Sequence, residues 1–306
     1  MTKRVLILGF PRSGTTLLAK LLAAHTDVSC PPETHLYSAA ARFLHEQTDV
    51  EGPPIGVLTG LGFLDIEAEE VMQPLRRMVF DFHDRIADGA PVQIDQTAVD
   101  IFHLETLEKL LKGHAYFICL TRNPLDVIAS NKELTDVLGA PLSDLAKAAS
   151  GSSSPYMGVA QAWAERQCAL DTFAERNAEA CHCLRYEDLT GDPDTTLAAL
   201  FDFLGLTGEP QETVRCAFDV DSGGATGLGD FRIHTTAGLR PPDPNGWRKR
   251  LPRAAASRLL PVVAPLMEAH GYKVPKMPAL PDRDTAIRQF RMAAEMKRRS
   301  AGRDDT

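Results

Sequence analysis

The segment KRVLILGFPRSGTTLL, Lys3 to Leu18, constrains this chain more than any other. An apolar run with β-branched content leads directly into a glycine, four residues, a second glycine, and then leucines at helical spacing. Parallel strands covered on both faces read as near-continuous hydrophobic runs, so residues 3–9 are expected as a buried parallel strand. Leu17, Leu18, Leu21 and Leu22 fall on one helical face and start a helix near Gly14. Strand, glycine loop and helix in this order open a doubly wound α/β fold. Successive backbone N–H groups in such a loop, together with the positive end of the helix, attract an anion. A tight turn with no ligand is the plainer alternative. The spacing is that of a nucleotide phosphate loop except at one place: Thr15 stands where G-x-x-x-x-G-K-[ST] has its lysine. Losing the cation that serves a transferring γ-phosphate weakens the case for triphosphate hydrolysis. Arg12, inside the loop, offers a fork of donors matched to a tetrahedral oxyanion, and Thr15 and Thr16 add hydroxyls. No acidic residue at a strand end stands out as a magnesium ligand.

Further strands are expected at 91–95 (PVQID), 116–121 (YFICLT) and 181–186 (CHCLRY), with helices at 67–88, 100–112, 124–138 and 156–177. Residues 139–158 are rich in Gly, Ser and Pro and are expected as a mobile loop; the glycine-rich 222–250 segment reads as a lid. One domain over 1–280 is expected, with 33–90 as a mostly helical insertion on the acceptor side and a polar tail over 281–306. The formal net charge of −8 disfavours general affinity for nucleic acid or anionic lipid, so an anionic ligand needs locally concentrated cations. The six cysteines form no CxxC pair and no zinc-type spacing, and Cys119 and Cys181 read as small core residues. No signal peptide and no membrane span is recognisable, which suggests a reduced, cytoplasmic protein.

A second anion site is legible in ICLTRNPLDVIASN. Arg122 follows a buried strand, so its guanidinium is expected over the carboxyl edge of the sheet, where α/β proteins bind ligands. Pro124 opens the next helix, and Ser130, seven residues after Asn123, lies two turns up nearly above it. Arginine and serine so placed can grip a further phosphate; the alternative spends Arg122 on Asp126 and leaves Ser130 solvated.

At this point the chain resembles the cytosolic-type sulfotransferases. FPRSGTT resembles their 5′-phosphosulfate loop and RNPLDVIAS their 3′-phosphate motif, and LRYEDL, FLGL and GWRKRL follow in family order over roughly residues 3–272. The resemblance implies an α/β, P-loop-like sulfotransferase fold, with a central mostly parallel sheet flanked by helices. It implies 3′-phosphoadenosine 5′-phosphosulfate (PAPS) as donor co-substrate, no metal, and transfer to a hydroxyl of a small or carrier-protein-bound metabolite. Arg12, Ser13, Gly14, Thr15 and Thr16 would hold the 5′-phosphosulfate; Arg122 and Ser130 the 3′-phosphate. Tyr186 would approach the adenine, while Arg248 and Lys249 would close over the 3′-phosphate. Trp247 would either stack there or anchor the lid from the core.

Sulfuryl transfer needs a base for the acceptor hydroxyl and positive charge for the leaving phosphate. CPPETHLYS resembles the PPE-x-H segment of bacterial sulfotransferases acting on polyketide and peptide-like intermediates, and the segment that carries the glutamate base of tyrosylprotein sulfotransferases. Glu33 is therefore the favoured base and His35 its partner or a sulfonate contact, against a reading in which Glu33 caps its helix and His35 is a satisfied polar residue. His234 in LGDFRIHTT is a second candidate base, although the usual proline after GD is missing. Relatives often carry a KTP or KSP segment before the helix at 100–112; here QIDQTAVD puts Gln96 at the lysine's place, leaving Arg12 with more of the leaving-group charge. A P-loop-type small-molecule kinase and a non-catalytic nucleotide-binding protein are the competing readings.

Overall fold

The computed structural model describes residues 2–48, 51–152, 154–219 and 238–277, with isolated positions between 284 and 295. Five strands, β1 (Lys3–Gly9), β2 (Val28–Ser29), β3 (Val92–Asp95), β4 (Tyr116–Thr121) and β5 (Cys181–Arg185), form one sheet in the order β2-β3-β1-β4-β5. Every pairing is parallel, a purer case than the mostly parallel sheet expected. The chain leaves the central β1 toward β2 and β3 on one side, then crosses to β4 and β5 on the other. The crevice for a ligand in such a sheet opens at the carboxyl ends of the strands where the direction of winding reverses.

The helices in chain order are α1 (Thr15–Ala23), α2 (Leu36–Phe43), α3 (Val57–Gly62), α4 (Ala68–Ala87), α5 (Leu104–Leu111) and α6 (Pro124–Leu138). They are followed by α7 (Ser143–Ala148), α8 (Pro155–Arg176), α9 (Tyr186–Gly191), α10 (Pro193–Leu204), α11 (Pro210–Phe218) and α12 (Arg253–Ala269). Side-chain alternation along β1 explains the two layers. Leu6 and Leu8 point into a core shared with α2, α4, α5, α6, α8 and α12. Val5 and Ile7 point into a second core with α1, α9, α10 and α11. A strand buried on both faces has no polar side to offer, which is why KRVLIL lacks alternation.

The expected helices at 67–88, 100–112, 124–138 and 156–177 are present to within a few residues, the second beginning as a 3-10 turn over Asp100–His103. The 33–90 segment contains α2, α3 and α4. Three expectations need correction. Residues 139–158 are not one irregular loop: α7 forms inside them because Leu145 finds a buried seat among the helices of the larger core. Cys181 is only half-buried, because β5 is an edge strand and its face is incompletely covered; Cys119, in the interior β4, is buried as expected. Asp95 ends β3, so an acidic strand-end residue does exist. The lid up to residue 237, including His234, and most of the tail lie outside the described residues. No helix among the described residues is long and apolar enough to cross a membrane.

Candidate active site

The glycine loop is pinned from three directions. Asn131 of α6 donates from Nδ2 to the Pro11 carbonyl at 2.8 Å, Ser13 N–H returns to the Phe10 carbonyl at 2.9 Å, and Arg122 Nη1 donates to the Arg12 carbonyl at 3.0 Å. Gly14 has φ 101, and a Cβ there would lie 2.3 Å from Tyr186 Cδ2, so both backbone conformation and space demand glycine. Arg12, with φ 75, and His35, with φ 56, are left-handed without being glycine. Such conformations cost energy and persist where surroundings over-determine them, often at functional sites.

The two anion sites meet. Arg12 Nε donates to Ser130 Oγ at 3.0 Å, so its guanidinium crosses from the loop to the serine on α6. Arg122 stacks on the Tyr186 ring, 4.0 Å from guanidinium carbon to centroid, and Tyr186 in turn covers Gly14. Asp126 Oδ1 accepts from Arg250 at 2.6 Å, which ties the 246–251 segment to α6, and the Arg122 charge also acts on this carboxylate. Asn123, between Arg122 and α6, is fixed by its N–H to Glu187 Oε1 at 3.0 Å, and Tyr272 donates to the other Glu187 oxygen.

Two atoms test whether these residues fit an anionic donor. Ser13 Oγ and Arg122 Nε are buried and have no hydrogen-bond partner within the protein. A buried donor left unmatched costs about 1–3 kcal/mol, and an incoming phosphate or sulfate oxygen removes that penalty. Both atoms fit an incoming phosphate or sulfate oxygen.

On the other side of the loop stands the acidic segment. Glu33 is 15% exposed and its Oε2 lies 3.9 Å from His35 Nε2, while His35 is 41% exposed and can turn toward an arriving ligand. Burial pushes the Glu33 carboxyl up from its ordinary range; His35, the Gln96 amide and the Ala98 N–H oppose that rise. Gln96, only 4% exposed, donates from Nε2 to Thr15 Oγ1 at 3.1 Å and to Glu33 Oε1 at 3.4 Å. The residue standing at the expected lysine's place thus bridges the phosphate loop and the carboxylate.

Sequence reasoning missed what carries this segment. Asp95 accepts from the Thr34 and Thr97 hydroxyls, the latter at 2.9 Å, and Thr97 Oγ1 receives the His35 N–H at 3.3 Å. The threonines in PPETH and DQT are visible in the chain, but only folding brings them to one carboxylate. Among the described residues no group of three His, Cys, Asp or Glu side chains is placed to hold a metal ion. Asn131, Arg250 and Glu187 were also missed, each because its partner is distant in sequence.

The lid residues divide. Trp247 is 2% exposed and its ring packs into the larger core. Arg248 lies over that ring at 4.5 Å and donates to Asn245, and exposed Lys249 is 3.4 Å from Asp243. Neither is locked in a buried pair. Thr16, the second residue of α1, follows the loop directly.

Several known proteins resemble this chain. It is 31% identical over 218 residues to nodulation protein NoeE of Sinorhizobium fredii (strain NBRC 101917 / NGR234), a match covering 65% of this chain and 49% of that protein. The chain therefore spans about half the length of this curated relative. The sulfotransferase domain from the Synechococcus PCC 7002 olefin synthase superposes with a TM-score of 0.61 at 23% identity, over 90% of this chain and 96% of that domain. The sulfotransferase domain from the curacin biosynthetic pathway gives 0.51 at 23% identity, over 90% and 99%. At these identities the structural likenesses speak for the fold, which they share with this chain from sheet to flanking helices. The profile of the sulfotransferase family itself matches residues 4–210, from β1 through both anion sites to the start of α11, and the chain belongs to that family.

Proposed function

We propose that the protein transfers a sulfuryl group from 3′-phosphoadenosine 5′-phosphosulfate to a hydroxyl of a small or carrier-bound metabolite. The observation that carries this reading is the meeting of Arg12, Ser130 and Arg122 at one sheet edge, with the Glu33 carboxylate one amide, Gln96, away from the same loop. The donor supplies the activated sulfuryl group. Ser13, Thr15, Thr16 and the loop N–H groups bind its 5′ end, and Ser130 and Arg122 its 3′-phosphate. Tyr186 borders the adenosine, and Arg248 and Lys249 close from the lid side. Glu33 takes the proton of the acceptor hydroxyl as oxygen attacks sulfur, with His35 supporting the charge. Arg12 and the loop stabilise the bridging oxygen as the sulfur–oxygen bond breaks, leaving adenosine 3′,5′-bisphosphate.

Calorimetry with adenosine 3′,5′-bisphosphate and AMP tests the donor. The bisphosphate is expected to bind well over tenfold tighter, since charge-assisted hydrogen bonds to the added phosphate are worth about 1.5–3 kcal/mol each. Equal affinities would overturn the assignment.

Gln96 offers a smaller check on the base. Its amide favours the ionised carboxyl of Glu33, so Gln96→Leu should raise that pKa and move the acid limb of the pH–rate profile to higher pH. Gln96→Lys, which puts a cation there, should move the limb lower. Profiles unmoved in both variants would disconnect Glu33 from the rate.

A further inference from the structure

Away from this site, β4 and β5 bring three thiols together. Residues in register share a face of the sheet, and Cys119 stands opposite Cys183 while Phe117 stands opposite Cys181. All three cysteines therefore face α8, with Cys119 and Cys183 side by side across the strand pair. Because β5 is the edge strand, Cys183 is exposed while Cys119 is buried. A cavity of about 160 Å³ opens beside them, lined by both of these cysteines with Gln167, Asp171, Arg185 and His270. His270 Nε2 lies 2.9 Å from Asp171 Oδ2, and since a carboxylate only accepts, Nε2 carries the hydrogen. The Arg185 guanidinium is held by Asp188 through two bonds, and Gln167 bonds Thr121 and Asp171.

We propose that Cys183 is a modification site for small hydroperoxides admitted to this cavity, with Cys119 as the resolving thiol. In the first step Cys183 sulfur attacks a peroxide oxygen and the O–O bond breaks. The departing oxygen takes the electron pair and the thiol proton, leaving as water or an alcohol. Cys183 is oxidised to the sulfenic acid and the hydroperoxide is reduced. Cys119 sulfur then attacks the sulfenic sulfur; the S–S bond forms, the S–O bond breaks, and the hydroxyl leaves with the Cys119 proton as a second water. Neighbouring strands lie about 4.8 Å apart, inside the span a disulfide bridges, whereas residues two apart along one strand are separated by roughly 6.6 Å, near its limit. That selects Cys119 over Cys181.

Of the charged groups lining the cavity, His270 and Asp171 bear on the reactivity of Cys183, while Arg185 and Asp188 are engaged with each other. The Cys119 hydrogen bond and His270 favour its thiolate, burial and Asp171 oppose, and the balance lowers the thiol below its ordinary value. Cys119 moves the opposite way, well up, which suits the thiol that waits.

The test treats the reduced full chain with a few equivalents of hydrogen peroxide, then blocks remaining thiols with iodoacetamide and maps peptides by mass. Cys183 is expected to lose its label well before Cys168, an exposed thiol on α8 that serves as internal control. The product is a Cys119–Cys183 cross-linked peptide. Cys119→Ser should stop at a Cys183 sulfenic acid that dimedone traps. His270→Asn should slow alkylation of Cys183 at neutral pH by up to about tenfold, the thiolate lost per pKa unit, and leave Cys168 unchanged. Cys183 reacting no faster than Cys168, or a disulfide joining another pair, overturns the proposal in the wild-type chain alone.

Discussion

Glu33→Gln is expected to lower kcat by about 10²–10⁴-fold, the usual worth of a positioned general base, with binding of adenosine 3′,5′-bisphosphate unchanged. In free energy that is about 2.7–5.4 kcal/mol of transition-state stabilisation. The substitution keeps shape and leaves an oxygen to accept from Gln96, so the bridge to Thr15 survives while the basic group is lost. Glu33 can accept a proton only when ionised. Burial raises its pKa, so activity should fall with decreasing pH at a value above the ordinary carboxylate range. That acid limb should vanish in the variant. Steady-state kinetics with any hydroxyl acceptor turned over, paired with calorimetry, separates the two effects. A variant keeping most of its kcat would pass the proton to His35 or His234.

Arg122→Ala should weaken adenosine 3′,5′-bisphosphate by at least about tenfold, and up to a hundredfold or more, from loss of charge-assisted bonds of about 1.5–3 kcal/mol each. The binding ratio between the bisphosphate and AMP should fall toward unity, because the charge-assisted bonds lost are those proposed for the 3′-phosphate. Two further contacts go with the side chain: its hold on the Arg12 carbonyl and its stacking on Tyr186. Arg122→Lys separates charge from shape, restoring a cation without the planar fork. It should recover part of the affinity and little of the stacking. A wild-type ratio retained in Arg122→Ala would move the 3′-phosphate elsewhere.

The elements legible from the chain were those whose signal is local. KRVLIL and YFICLT are apolar on both faces, and parallel strands between two helical layers demand that. Pro124 after RN marked the start of α6, and Asn123 caps it with a bond from Leu125 N–H. The two-residue β2 and the short α7 lacked such signals. α10 and α11 did carry them, Pro193 after the capping Asp192 and Pro210 at the helix start, yet no helix was expected there or at α12, inside which Pro261 and Pro265 lie. Their stability comes from burial against neighbours, which a short window of sequence does not contain.

By itself the chain determined a strand–glycine loop–helix unit, an arginine and a serine at the start of a second strand–helix unit after it, and an acidic PPETH segment, because residue type and spacing suffice to mark each as a candidate site. Only the tertiary structure decided that Arg12 reaches Ser130, that Gln96 joins Glu33 to Thr15, and that Asp95 gathers Thr34 and Thr97. Packing likewise drew Trp247 into the larger core. Hydrogen bonds between side chains tens of residues apart act over about 3 Å, and strand order and helix packing, not spacing along the chain, bring their partners that close.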